Sequence, residues 1–475
     1  MSNVKYNQAK PWQIIMYPLA GTTGTLFLML MMFSSYVAAG GYGIAIAVAG
    51  LVATYSRVFD AVTDPIIGLI TTRMSSKYGK ARICLVVGLA TMILSCLSMF
   101  FWCIGTNLVI FTLCYMGYII GYTIYNVGHT TAQSVLTNDP KQRPKISRYS
   151  IIYTTIFSAL QSRFLSGYLA PKHGGLNTGL FQELCLIVCA VSVVFVALAV
   201  IAIWSKDTKE AYENVSNSPV SFKDMWSVLK SNRAIQTLIV AGASDKLALQ
   251  TAGNSFVGTM IFGIVIGNYA FNGKLALIIL PVQIALVFLA TKFAGKHGIK
   301  AANVKWTTYS IIAAAVMILY LIVIDPTKIS QVTLPTVIFV VLHACCAATQ
   351  MATSATTGAM IPDCADYELF RSGKYMPAVV GTVYSFVDKL VSSLATTIAA
   401  LGVSLVGYVS VTPQPGDPSS PAIFAMALFL WKGLPILGWL CTLIAMRWYP
   451  LDKDMMDEVK RTNAERIAEK KQKHT

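Results

Sequence analysis

Residues 57–68 read Arg57-Val58-Phe59-Asp60-Ala61-Val62-Thr63-Asp64-Pro65-Ile66-Ile67-Gly68, inside an apolar run that extends from Ile44 to Ile70. A run of that length crosses a hydrocarbon core of about 30 Å as a helix. One carboxylate at the centre of such a helix costs about 2.5–3.5 kcal/mol on insertion scales. This helix carries two, and an arginine. Asp60 and Asp64 are four residues apart and share a face, and Arg57 stands one turn before Asp60 on that face. Pro65 removes a backbone donor and leaves the Ala61 carbonyl without its usual partner, between the two carboxylates. Two carboxylates, a free carbonyl and the Thr63 hydroxyl are hard oxygen ligands suited to a small cation or a proton. A structural Arg57–Asp pair would account for one acid and leave the other uncompensated. A coupling-ion site is therefore the expectation.

Composition sets the class. The chain has 475 residues, of which 55% are hydrophobic and 12% charged. Those proportions describe an all-α polytopic membrane protein, not a string of soluble domains. The net charge of +16 is unevenly spread. About 29 of the 37 Lys and Arg fall in alternate loops and in the termini, with Lys172, Lys274 and Lys328 in the others. This asymmetry predicts cytoplasmic termini and a location in the cell (inner) membrane. Because the basic residues flank spans and form no single patch, nucleic acid is excluded as a partner. The ten cysteines follow no disulfide or metal framework; most fall within apolar runs as small hydrophobes. Cys185 and Cys189 share a face but lack histidine support, so no structural metal is expected. The first apolar segment is too long for a signal peptide and lacks a cleavage site, which predicts that it is kept as a span.

Apolar runs predict about twelve spans, at 12–37, 42–71, 83–104, 107–135, 149–170, 181–204, 234–262, 269–291, 304–324, 333–361, 376–409 and 421–448. They divide into two six-helix bundles, 1–204 and 234–448, with a polar connector over 205–233 and a charged tail over 449–475 read as a solvated helix. Trp12, Trp204, Trp306 and Trp448 stand at span ends, as interfacial anchors do. Within the connector, Ser221-Phe222-Lys223-Asp224 has the form of a capping box. Phe222, Met225, Trp226 and Leu229 recur at helical spacing, which predicts a short amphipathic helix on the membrane surface. A weak repeat supports the division: Lys77-Tyr78-Gly79-Lys80-Ala81 follows the second span and Lys296-His297-Gly298-Ile299-Lys300-Ala301 the eighth.

Further polar residues lie in the spans. The fourth contains Tyr122, Thr123, Tyr125, Asn126, His129 and Thr130, with Thr123 and Asn126 on one face. Arg163 lies in the fifth, Asp245 and Lys246 in the seventh, Asp388 and Lys389 in the eleventh and Lys432 in the twelfth. Ionisable groups inside a membrane default to functional hypotheses. Arg57, Arg163, Lys246, Lys389 and Lys432 outnumber Asp60, Asp64, Asp245 and Asp388 by one, which favours an anionic solute. No Ser–His–Asp set or phosphate-cradling glycine loop is present, so no catalytic residue and no enzymatic activity are expected.

The pattern R-x-x-D-x-x-x-D-P-x-x-G, followed by the basic loop Lys77–Arg82, resembles the glycoside–pentoside–hexuronide (melibiose permease-like) cation symporter family of the major facilitator superfamily. The resemblance implies a major facilitator fold and a symporter coupling sodium or proton entry to uptake of a sugar-type solute by alternating access. It implies no other cofactor. Partners would be the solute and membrane lipid, and the protein a monomer. A cation site follows at Asp60, Asp64, Thr63, Thr123 and Asn126, the last standing where some relatives have an acid. The first helix of the family has an acid a few residues past a tyrosine; here Tyr17 is followed by Thr22 and Thr23 and by no acid. Thr130 takes the place of a sugar-stacking tryptophan, and Lys389 matches a family lysine near both sites. Solute contacts are accordingly expected from Arg57, Tyr17, Thr22, Thr23, Tyr122, Thr130, Arg163, Lys246 and Lys389. Asp363, Asp366, Glu368 and Arg371 match the family's acidic motif, expected to pair across the bundles with basic loops at Lys80, Arg82 and Arg143. A lysolipid transporter and a transporter-fold sensor are the alternative readings.

Overall fold

A computed structural model describes residues 8–73, 78–137, 142–208, 222–373 and 377–473. Ser221 and Lys77 lie outside them, as do the side chains of Asp64, Arg143 and Asp224. The described elements are helical. α1 (Pro11–Met16), α2 (Leu19–Met31) and α3 (Ser34–Tyr42) precede α4 (Ile46–Arg73), which runs unbroken through Asp64 and Pro65. α5 (Lys80–Leu97), α6 (Leu108–Leu136), α7 (Arg143–Phe164) and α8 (Thr178–Ile203) complete the first group. The second comprises α9 (Phe222–Ser231), α10 (Arg233–Ala252), α11 (Tyr269–His297), α12 (Ile299–Val323), α13 (Leu334–Ser372), α14 (Pro377–Ser392), α15 (Leu394–Leu405), α16 (Pro421–Leu428) and α17 (Leu434–Trp448), with α18 (Lys453–Lys473) as the tail. Asparagine side chains cap α6, α8 and α10: Asn107, Asn177 and Asn232 accept from Ile110 N, Leu180 N and Ile235 N at 3.1, 3.0 and 3.1 Å.

Among the described residues, nine helices are long and apolar enough to cross a membrane. A tenth is obtained if Arg233–Ala252 and Ser255–Val265, bent by 50°, form one span. The expected spans at 42–71 and 149–170 are helical too, in α4 and in α7 with its π-helical extension Leu165–Leu169. α4, at about 1.5 Å per residue, is longer than the hydrocarbon core is thick.

Backbone proximity divides the chain into two units. One holds Met1–Asn217, Tyr269–Lys274 and Val403–Asp417; the other holds Ser218–Asn268, Leu275–Gly402 and Pro418–Thr475. In the first unit, α6 lies directly on α5, because glycines leave no side chain between them. A Cβ at Gly88 would come within 2.6 Å of Tyr125 N, and one at Gly121 within 2.8 Å of Met92 N. That seam sets the height and rotation of α6, the helix that carries Thr123. The segment Val403–Asp417 is tied into the same unit by Gln414, whose amide donates to Leu176 O at 3.1 Å and accepts from Leu176 N at 2.8 Å. In the second unit, Asn303 on α12 donates to Thr356 and Thr357 on α13 at 3.2 and 2.9 Å, a polar seam between membrane helices.

Two expectations are corrected here. Trp306 is 8% exposed and packs with Ala290, Ala302 and Ala352; α12 starts earlier than the apolar run, which places this tryptophan inside the helix. The expected helix in the connector is present as α9; among its described side chains Val228 is buried, Leu229 is partly buried and Trp226 is 68% exposed. The tail is not solvated all round: Met456 and Val459 are buried, and Asn463 donates to Asp366 O at 2.9 Å.

Candidate cation and solute site

Asp60 is 2% exposed, at the middle of α4. Thr123 on α6, equally buried, donates its hydroxyl to Asp60 Oδ1 at 2.6 Å. A buried carboxylate demands such a donor, because leaving it unsatisfied costs about 1–3 kcal/mol or more. Thr63 donates to the Asp60 carbonyl at 3.2 Å, a bond back to its own helix. Asn126, half-buried, follows Thr123 by one turn of α6. The backbone of α4 carries Asp64 one turn beyond Asp60; its side chain lies outside the described residues. Thr123 and Asp60 thus meet directly between α6 and α4, with Thr63 and Asn126 on the same two helices.

Arg57 is half-buried and lies near Asp60, Tyr115, Tyr118 and Tyr122. These tyrosines form a ladder on α6, with ring centroids 6.3 Å apart for Tyr115–Tyr118 and 6.0 Å for Tyr118–Tyr122. The Tyr118 hydroxyl is buried and has no hydrogen-bond partner. Sequence reasoning named only Tyr122; the spacing of 115, 118, 122 and 125 at three and four residues is the signal that points to the others.

The expected solute residues separate into groups. Tyr17 is buried, stacks on His129 at 5.3 Å and gives its hydroxyl to the His129 carbonyl at 2.5 Å. Beside it, Pro18, Gln133, Ser147 and Ser150 help line a cavity of about 190 Å³. Thr22 and Thr23 are fully buried, and the Thr22 hydroxyl has no partner. Thr130 is exposed and donates to Asn126 O at 3.0 Å. Arg163 lies along its own helix where Gly167 lacks a side chain; a Cβ there would overlap the guanidinium. In the second unit, Lys246 forms an ion pair with Asp388, and Lys389 is half-buried. Lys432 is buried against the Trp431 ring, 4.3 Å from its centroid. Lys246 is balanced by Asp388, and Lys432 keeps its charge over the aromatic face.

The charged motifs near the helix ends pair within their units. Glu368, buried, accepts from Arg371 at 2.9 Å and from Asn232 at 2.9 Å, and Arg371 donates to Ser231 at 2.7 Å. Arg82 pairs with Asp207, which also accepts from Arg82 N at 2.8 Å and so caps α5. The Arg82 guanidinium stands 4.4 Å over the Trp204 ring. Asp207 escaped the sequence reading; an acid just past the sixth span, in Lys206-Asp207, was its only signal. Each of these pairings lies within one unit.

The profile of the family described as MFS/sugar transport protein matches residues 14–453. The chain belongs to that family. It is 23% identical over 427 residues to the uncharacterized symporter YnaJ of Bacillus subtilis (strain 168), covering 87% of this chain and 85% of that one. It is 23% identical over 430 residues to the isoprimeverose transporter of Lactiplantibacillus pentosus, covering 87% and 82%. Its fold is similar to that of a bacterial homologue of the human lysosomal transporter Spinster, with TM-score 0.61 and 12% identity over 96% of this chain and 99% of that one. The relatives bear out the glycoside–pentoside–hexuronide resemblance read from the motif. The protein is a multi-pass membrane transporter of a small-molecule solute, with a major facilitator fold, and not an enzyme.

Proposed function

We propose that this transporter couples inward movement of sodium to uptake of a sugar-type solute, a glycoside, pentoside or hexuronide, by alternating access. The observation that carries the reading is the Thr123–Asp60 contact of 2.6 Å between α6 and α4. Asp60, Asp64, Thr63, Thr123 and Asn126 supply the oxygens of the ion site. Several converging oxygens suit sodium, whereas a proton needs one carboxylate; Asn126 keeps a neutral oxygen where an acid would add charge. Ion binding neutralises carboxylates that are costly inside a membrane. It thereby favours the arrangement of α4 and α6 in which Arg57, Tyr122 and Thr130 meet the solute. Loading of both sites then permits the interconversion of inward- and outward-facing states.

In this reading the protein is a monomer in the inner membrane with cytoplasmic termini, and 205–233 is the cytoplasmic connector. Proteoliposomes test the coupling. Asp60→Asn is expected to abolish sodium-driven accumulation of a radiolabelled sugar while the protein remains folded and inserted, because removing a buried charge does not harm packing. Accumulation driven equally by sodium in this variant, or driven only by a proton gradient in the wild type, refutes the sodium site.

A further inference from the structure

A groove on the outer face of the second unit has apolar walls and a basic end. It lies between α10 and α17, has a volume of about 290 Å³, and is lined in part by Val240, Cys441, Ile444 and Trp448. Val240 and Ile444 are 54% and 51% exposed on apolar helices, so the groove opens towards lipid. Gln236 and Thr237 also border it, but their polar groups bond elsewhere. Gln236 donates to Leu229 O and Lys230 O at 2.8 and 3.0 Å, which ties α9 to α10, and Thr237 donates to Arg233 O at 2.9 Å. The surface left to the groove is therefore apolar.

The two helices run antiparallel. Thr442 donates to Ala241 O at 3.2 Å, and a Cβ at Gly438 would come within 2.8 Å of Ser244 O. That register sets Arg447 level with about Thr237, and Arg233 one turn, about 5.4 Å, further along. Arg233 shares a face of α10 with Thr237 and Val240, and Arg447 follows Ile444 by three residues on α17. Both arginines are exposed, and among the described residues neither guanidinium has an ion pair or a hydrogen bond. Trp448 and, on α9, Trp226 are exposed at the same end, which marks the level of the lipid headgroups. Snorkelling to water would account for each arginine singly, but not for an open apolar groove that ends between the two. We propose that this groove holds one anionic phospholipid. An acyl chain lies along Val240, Cys441 and Ile444, and Arg233 and Arg447 hold the phosphate, whose oxygens match the guanidinium fork. A zwitterionic headgroup is disfavoured because its own cation meets two guanidinium groups. The residues of the ion and solute sites take no part.

Native mass spectrometry of the delipidated full-length protein, offered equal amounts of phosphatidylglycerol and phosphatidylcholine, reads the preference directly. The wild type is expected to retain phosphatidylglycerol about tenfold more, and Arg233→Gln with Arg447→Gln to bring the two lipids within about twofold. Cys441→Phe, which fills the groove from its exposed side, is expected to lower retention of both. Phosphatidylglycerol with a photoreactive acyl chain is expected to label peptides of α10 and α17 in the wild type. Equal retention of the two lipids by the wild type, or an undiminished preference in the double arginine variant, overturns the proposal. So does an equal loss in Lys328→Gln, which removes an exposed charge elsewhere, because net charge would then explain the preference. Labelling confined to other helices overturns it without any variant. A lipid-free dimer that Cys441→Phe dissociates would do the same, by assigning the groove to a second copy of the chain.

Discussion

At the residue scale, Thr123 is the test of the ion site. Its hydroxyl joins α6 to Asp60 at 2.6 Å and brings an oxygen from another helix to the carboxylate. Thr123→Val keeps the shape and removes the oxygen. The loss of one ligand at about 1.4 kcal/mol corresponds to about a tenfold rise in the sodium concentration for half-maximal uptake. Thr123→Ser restores the wild-type value; an unchanged sodium dependence in the valine variant removes Thr123 from the site. Tyr17 gives the opposite outcome. Its hydroxyl is committed to the His129 carbonyl, so Tyr17→Phe is expected to cost about 1–2 kcal/mol in unfolding midpoint while solute half-saturation stays at the wild-type level. Asp60 was legible in the sequence because an acid in a membrane helix is costly enough to stand out. Thr123 was legible only through family resemblance, since hydroxyls in membrane helices commonly bond their own backbone, as Thr130 does.

At the element scale, the start of α5 depends on Asp207, an acid just past the sixth expected span. Gly79 has φ +81°, and a Cβ there would overlap the Asp207 carboxylate. Asp207 caps the helix through Arg82 N and pairs with the Arg82 side chain. Asp207→Ala leaves those donors unsatisfied and is expected to destabilise the protein by about 1–3 kcal/mol, seen as a lower thermal midpoint in detergent. Gly79→Ala is expected to do the same through backbone strain and overlap. The repeat between Gly79 and Gly298 is visible in the backbone, where both glycines precede a helix with positive φ, of +81° and +90°. What crosses those two glycines differs: Asp207 in the first unit and Lys453 in the second. Helix positions were legible from apolar runs because burial in lipid leaves few alternatives. Trp306 was misplaced because charged Lys300 and Lys305 sit within α12 and hide its true start.

At the scale of the whole molecule, what remains to be fixed is the charge moved per cycle. One sodium with a neutral sugar carries one positive charge inward, whereas one sodium with a hexuronide carries none. The charge count in the sequence favours an anionic solute. Pairing takes Lys246 and Asp388 out of that count together, and Lys432 keeps its charge where it packs on Trp431. A sugar acid and a neutral glycoside or pentoside are told apart by their response to the membrane potential. Moving one elementary charge through 100 mV is worth about 2.3 kcal/mol. For sodium with a neutral solute, an inside-negative potential of that size raises the accumulation ratio about 50-fold. In proteoliposomes with a potassium diffusion potential and equal sodium on both sides, uptake of a neutral pentoside is therefore expected to become concentrative. A sugar acid moving with one sodium ion gains nothing from the potential. Accumulation of the acid at zero potential, with no response of any neutral sugar, would identify an anionic solute and return Arg163 and Lys389 to the centre of solute recognition.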